Sequence, residues 1–324
     1  MTQPPTALIP RPGDRGLGTT DRATLIASVA QSWALFATMV ADLDLDAPTR
    51  AKGLIAREVL IPLGAWDDNR PLSHLLDDVR RGVVGVHDQG ALVEAVRAAH
   101  RHESDDAIRD AIRRQGEEME TFLFSERLDD VASSPVASML GTLPLITFLH
   151  AATYPLATSA LDLEQCGAVV PDVLLDNALL GLVDTIGALA ARAGLTASIA
   201  AITPTTLVGM ASQDGSWRTA LIDPADLGEE LPGAVGPSIR GSSRLLLDVT
   251  AGRADIPGSA RRGELGLHDV AGLMALAPVA ESVPGIPGRS ALMAAIRATT
   301  ALGSAASAVS AALRLLPFGR TGPS

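Results

Sequence analysis

The chain has 324 residues, 47% of them hydrophobic, enough to bury cores in two domains of ordinary size and to exclude global disorder. Its formal net charge of −11 excludes the broadly basic face that nonspecific nucleic-acid binding needs in order to displace counterions. Aromatic residues make up only 3%, so Ala and Leu must do most of the packing, as in helices joined through small aliphatic side chains.

Lys52 is the sole lysine, and arginine carries the positive charge, as in proteins of high-GC genomes. Cys166 is the sole cysteine: it has no partner for an internal disulfide and gives no zinc-site spacing, which fits a reducing, cytoplasmic setting. The first 19 residues, with Pro4, Pro5, Pro10, Pro12, Gly13 and Gly16, have neither the charged start nor the apolar core of a signal peptide and read as a flexible lead-in. No run reaches the roughly 18–20 apolar residues of a membrane-spanning helix.

From residue 21 to 46, Leu25, Ile26, Val29, Trp33, Phe36, Val40 and Leu43 recur at spacings of three and four, predicting a helix with Thr20 or Asp21 as its cap. A polar break, Asp44 to Thr49, leads into a second helical segment from Arg50 to Trp66. A third helix follows the Asp67-Asp68-Asn69-Arg70-Pro71 turn, near Leu72–Arg81. Two more are expected at 89–102 and 105–125, the latter started by Ser104 with Asp105 and Asp106 at the positive end of the helix dipole. A helix over 135–164 is interrupted by Pro144 and Pro155. Pro171 then opens an apolar helix that Gly194 closes.

Past Gly194 the period changes. Segments 197–202, 205–212 and 216–222 are rich in Thr, Ile and Val, with a turn at Asp214-Gly215, and read as strands. A helix at 238–252, a strand at 264–268 and a helix at 269–277 complete a small α/β domain over 196–285. The cluster Val283-Pro284-Gly285-Ile286-Pro287-Gly288 is a linker. The tail, 289–316, is helical by propensity, with a thin stripe through Leu292, Ile296, Leu302, Val309, Leu313 and Leu316. Two readings stand for it: docking on the bundle or on a second subunit, giving a homo-oligomer, or contact with a membrane interface.

Several of these stretches resemble one family. Leu43-Asp44-Leu45-Asp46-Ala47-Pro48-Thr49 after Trp33, Arg57 to Trp66, Asp162-Leu163 followed by Gly167 and Val170-Pro171, and Arg240 to Leu247 with Gly252-Arg253 occur in the order found in the actinobacterial DinB-like, mycothiol-dependent maleylpyruvate isomerase family. The resemblance implies an α+β protein: a DinB-like helical bundle over 20–194, a sterol-carrier-like module over 196–285, and a helical tail. It also implies a divalent metal held by one histidine of the second helix and by the Glu and His of an E-x-x-x-H-x-x-D-L pattern. Those positions here are Pro62, Pro155 and Ser159, and only Asp162-Leu163 of the pattern is present. Proline offers no side-chain donor atom, and a serine hydroxyl is a poor ligand for a divalent transition metal. Prolines inside helices also remove a backbone hydrogen bond, so Pro62 and Pro155 are expected to kink the helices lining the site.

The remaining candidates are weighed against plain structural roles. His150, one turn before Pro155, either faces the former pocket or is a satisfied helix histidine; His74 presents the same choice. Asp67 and Arg70 offer a carboxylate and a guanidinium to a polar ligand, or form a surface ion pair at a helix end. Asp162 either supports a ligand or bonds a backbone group. Arg253 either binds a carboxylate in the cleft between domains or stabilises a helix C-terminus. Cys166 is a thiol or simple packing. There is no phosphate loop, dinucleotide fingerprint or nucleophile elbow. The expected function is a metal-independent protein that binds a small apolar or amphipathic ligand through Asp67, Arg70, His150, Asp162 and Arg253. The alternative is a mycothiol-dependent isomerase or transferase with a different metal set or none.

Overall fold

The structure, a computed structural model, describes residues 8–87, 90–222 and 236–282. The expected linker at 283–288 and the helical tail lie outside them. The described chain begins with a short helix α1 (Leu17–Thr20) and the long α2 (Arg22–Val40), which Asp21 caps by accepting from the Thr24 N–H at 3.2 Å. The expected second helix is cut to α3 (Ala56–Leu60) and a 3₁₀ turn, Ile61–Leu63. Pro62 is the cause: it has no N–H to give the Glu58 carbonyl, which instead accepts from Arg97 Nε at 2.9 Å.

Next come α4 (Pro71–Arg81), α5 (Gly90–His100) and α6 (Asp105–Leu123). Pro71 starts α4, Gly82 ends it in a left-handed conformation, and Ser104 caps α6 through the Ala107 N–H at 3.2 Å. A helix α7 (Glu126–Val131) follows, and two short antiparallel strands, β1 (Pro135–Val136) and β2 (Leu143–Pro144), take the place of the expected start of a helix at 135. Then follow α8 (Leu145–Ala151), α9 (Thr153–Leu163) and α10 (Asp172–Arg192). Pro155 does not kink a continuous helix. It occupies the first turn of α9, where N–H groups lack intrahelical partners in any case, and the break falls before it, at Ala152.

The second half is a five-stranded sheet in the order β5-β4-β3-β6-β7. It comprises β3 (Ala197–Ile202), β4 (Leu207–Gln213), β5 (Ser216–Leu221), β6 (Ser238–Arg240) and β7 (Gly266–His268). Strands β3, β4 and β5 form an antiparallel meander around the Asp214-Gly215 turn, β6 runs parallel to β3, and β7 returns antiparallel. The expected helix from 238 gives its first residues to β6, leaving α11 (Ser243–Thr250). After it come α12 (Ile256–Arg261), and past β7 the short α13 (Val270–Leu273) and α14 (Ala277–Ser282). The fold class is α+β, as the resemblance implies.

The bundle and the sheet share one helix. α10 packs on α2, α8 and α9 and also on β3, β4 and β5. Two glycines allow both approaches: a Cβ at Gly181 would lie 2.5 Å from Thr153 Oγ1, and one at Gly187 would lie 2.5 Å from the Trp217 ring. The apolar core accordingly runs without a break from Leu25 and Phe36 through Leu174 and Val183 to Val208, Met210 and Leu247. Among the described residues α2 and α10 are long and apolar enough to cross a membrane by length and composition alone, a test that the core helix of a soluble protein also passes. In α10 that apolarity is spent inside the fold, because most of its surface is buried between the two layers.

One charged residue of α10 is buried. Asp184 is fully buried and accepts from the Thr219 hydroxyl at 2.7 Å, Trp217 Nε1 at 3.1 Å and the Leu17 N–H at 3.2 Å, while His150 Nδ1 lies 3.2 Å from its second oxygen. These groups come from β5, from the N-terminal segment and from α8. The segment expected to be a flexible lead-in is therefore anchored to the core at Leu8 and again at residues 16–18, with residues 9–15 between them exposed or half-buried. Leu8 is fully buried against Ala200, Ile202, Leu207 and Ile222, and Leu17 is buried beside the bundle.

Removing the carboxylate would strand several buried donors at once, at about 1–3 kcal/mol for each unmade hydrogen bond. Asp184→Ala is expected to lower unfolding stability by about 3–5 kcal/mol, and Asp184→Asn by less. Urea unfolding followed by tryptophan emission measures both, with the Trp217 signal shifting to the red in the alanine variant.

Candidate seam site between helix α9 and helix α11

The three positions of the resembled metal set fall on two elements. Pro62 is half-buried in the 3₁₀ turn after α3, and α3 packs on α9. Pro155, Ser159 and Asp162 follow one face of α9 at helical spacing. Pro155 is exposed, Ser159 half-buried and Asp162 buried, so this face runs from solvent into the core.

Arg253 closes the buried end. Gly252, left-handed at φ 71°, ends α11 and turns the chain, and Arg253 then reaches across to α9. Its Nη1 and Nη2 donate to the two Asp162 carboxylate oxygens at 2.7 and 3.0 Å, a forked pair. Around this pair the bundle and the sheet unit are joined by further polar contacts. Arg50 Nη2 donates to Asp248 at 2.8 Å, and the Arg50 N–H donates to the Asp162 carbonyl at 2.9 Å. The Tyr154 and Thr250 hydroxyls are 3.3 Å apart, Arg244 pairs with Glu164, and the Ser243 hydroxyl meets Asp176.

Burial pushes the Asp162 carboxyl above the ordinary carboxylate range, with Arg253 and then Arg50 pulling the other way. The folded state thus holds this proton more tightly than the unfolded chain does. Stability from the group is present below about pH 3.9 and is lost as pH rises through the folded value. Burial likewise raises the Tyr154 hydroxyl, against the hydrogen bond from Thr250 and the charge of Arg253.

Of the candidate residues, the structure brings Asp162 and Arg253 together and keeps the others apart from them. His150 is fully buried on α8 against Asp184; its Nε2 has no hydrogen-bond partner among the described residues. Asp67 and Arg70 lie 3.6 Å apart at the start of α4, where Asp67 also takes Arg114 at 2.8 Å and Arg70 takes Glu118 at 3.2 Å. His74 is exposed on α4. His100 stacks on Trp66 with ring centroids 4.0 Å apart and meets Asp68 at 3.1 Å, a packed helix end. Cys166 Sγ lies 3.3 Å from the Pro48 carbonyl, and burial raises its pKa, so the thiol is not activated.

Sequence reasoning passed over Arg50, Tyr154, Asp248 and Asp184. For Asp184 a signal was available, since it is the sole acid between Asp176 and Arg192 in an otherwise apolar run. No comparable signal marked Arg50 or Asp248, whose pairing depends on contacts nearly 200 residues apart in sequence.

The divalent metal implied by the resemblance does not fit these residues. Two of its three positions have no donor atom, and the neighbouring carboxylate has both oxygens engaged by Arg253. Among the described residues no three His, Cys, Asp or Glu side chains are grouped so that they could hold a metal ion.

No protein-family model and no curated protein matches the sequence. Among solved structures, the mycothiol-dependent maleylpyruvate isomerase and a histidine-to-alanine mutant of it are similar in fold. Each has 14% identity and a TM-score of 0.46, over 74% of this chain and 92% of theirs. An inverting sec-alkylsulfatase from a Pseudomonas species matches at 11% identity and a TM-score of 0.23, over 63% of this chain and 28% of its own. Likenesses this distant carry no chemistry, which rests on the residues above.

Two measurements test the seam. A double-mutant cycle of Asp162→Ala and Arg253→Ala is expected to give a coupling energy of about 1–3 kcal/mol in unfolding stability; additive losses would mean that the fork does not join the two layers. Tyr154 is the sole tyrosine, so absorbance at alkaline pH reports on it alone. Its midpoint is expected above the ordinary value of about 10 in the folded protein, falling to about 10 in denaturant.

Proposed function

We propose that this chain is a metal-independent binding protein of the maleylpyruvate isomerase and DinB-like kind. Its ligand is a small apolar or amphipathic molecule held at the seam between the helical bundle and a sterol-carrier-like sheet unit. The observation that supports this reading is the Asp162–Arg253 fork. A guanidinium from one layer neutralises the carboxylate beside the lost ligand positions, so no metal is needed to balance its charge. Beside it, Ser159 and Tyr154 stay half-buried and Pro155 exposed on the same helix, giving a mixed polar and apolar rim. Arg253 keeps about a third of its side chain exposed, enough to meet an anionic group on a ligand. The lone cysteine supports a cytoplasmic location.

A second reading, a mycothiol-dependent isomerase or transferase, draws support from Arg50 and Arg253 lying together at the seam. Cations in that place would favour the thiolate of a bound thiol cofactor.

Metal content separates the two first. Protein grown with zinc and nickel and assayed by inductively coupled plasma mass spectrometry is expected to hold well under one metal per chain. Close to one per chain would overturn metal independence. Pro62→His, Pro155→Glu and Ser159→His together are expected to create metal uptake, and no uptake would show that the site has been misplaced. Mycothiol-dependent turnover of maleylpyruvate, abolished by Arg253→Ala, would replace the binding reading with the enzymatic one.

A further inference from the structure

Helices α4 and α6 leave an open groove of about 480 Å³ between them, on a part of the molecule separate from the seam. That volume is within the range of small-molecule sites, roughly 300–1,000 Å³. Its walls are two helical ridges. Ser73, Leu76, Asp77 and Arg80 share one face of α4 at spacings of three and four, and Arg114, Glu118, Thr121 and Ser125 continue the facing ridge along and just past α6. Leu72, Leu76 and Phe122 make the floor, with Leu72 and Phe122 buried. The groove follows the length of α4, about 16 Å for its 11 residues.

The charges are distributed unevenly along it. At the Arg70 end the arginines are occupied, Arg70 by Glu118 and Arg114 by Asp67. Along the walls Asp77 is taken by Arg80 and Glu117 by Arg113. At the far end Arg127 of α7 lines the groove, is exposed, and makes no ion pair or hydrogen bond among the described residues. The nearby Asp129 is taken by Arg22. A trough with an apolar floor, paired charges on its walls and one unanswered cation at its end matches a molecule with an apolar body and an anionic head.

We infer that this groove is a second binding site, for a small amphipathic carboxylate whose chain lies over Leu76 and Phe122 and whose head meets Arg127. The groove is open and Arg127 is solvated, so the head-group contact is of the exposed kind and contributes modestly. The chain of net charge −11 repels anions at long range, and added salt therefore strengthens the encounter while weakening the ion pair itself.

The probe is decanoate, titrated into the full-length protein by calorimetry, with decyltrimethylammonium as the control of opposite charge. Saturable decanoate binding is expected, weakened about fivefold by Arg127→Ala and lost in Thr121→Trp, which fills the groove from an exposed helix position and leaves the thermal transition unchanged. Arg253→Ala is expected to leave it intact, which separates this site from the seam: loss in Arg253→Ala alone would place decanoate at the seam and overturn the groove inference. The inference is overturned if decanoate shows no saturable binding, if neither groove variant weakens it, or if the ammonium probe binds as well as the carboxylate.

Discussion

The arrangement depends on a single carboxylate. Asp184 lies in the middle of an apolar helix, where an unpaired charge would cost several kcal/mol. It becomes tolerable when donors from β5, the N-terminal segment and α8 arrive together. Those three elements are distant in sequence and cannot supply their donors unless the sheet, the helices and the N-terminal segment are all in place. The same condition explains why the N-terminal residues pack instead of trailing, since the Leu17 N–H is one of the donors and Leu8 is buried against β3 and β4.

The shared helix also changes the meaning of the boundary near residue 195. A bundle and a separate sheet domain would each need their own core, whereas here α10 provides a surface for both and the apolar interior is continuous. The seam on the far side of α9 is different in character. It is held by ion pairs and hydroxyl contacts between α9, the Arg50 loop and α11, most of them partly exposed. Packing joins the layers firmly through α10, and polar contacts join them more weakly through α11. The weaker, wetter face is where the proposed ligand would meet the protein.

The prolines show how one residue type affects both structure and chemistry. Pro62 ends α3 and frees the Glu58 carbonyl, which Arg97 then satisfies from α5. Pro155 sits in the first turn of α9, so the helix behind it is undisturbed and Ser159 and Asp162 keep their common face. Two of the three positions that the resemblance assigns to a metal thus lack side-chain donor atoms, the helical frame of α9 is undisturbed, and Arg253 supplies the positive charge beside Asp162.

Period, caps and turn chemistry determined the helices α2, α4, α5 and α6, the meander β3–β5 and the mixed fold class, because each is written in residues a few positions apart. The absence of side-chain donors at Pro62 and Pro155 was equally legible, since it is a property of the residue itself. Tertiary structure alone decided that Leu8 and Leu17 of the leading segment are core, that His150 serves Asp184, and that Asp162 and Arg253 answer each other. It also decided that Arg70 lines a separate groove, with Asp67 paired to Arg114 beside it. Each of these is a pairing of groups far apart in the chain, and whether a charge meets a partner, a ligand or water depends on which elements the fold brings together.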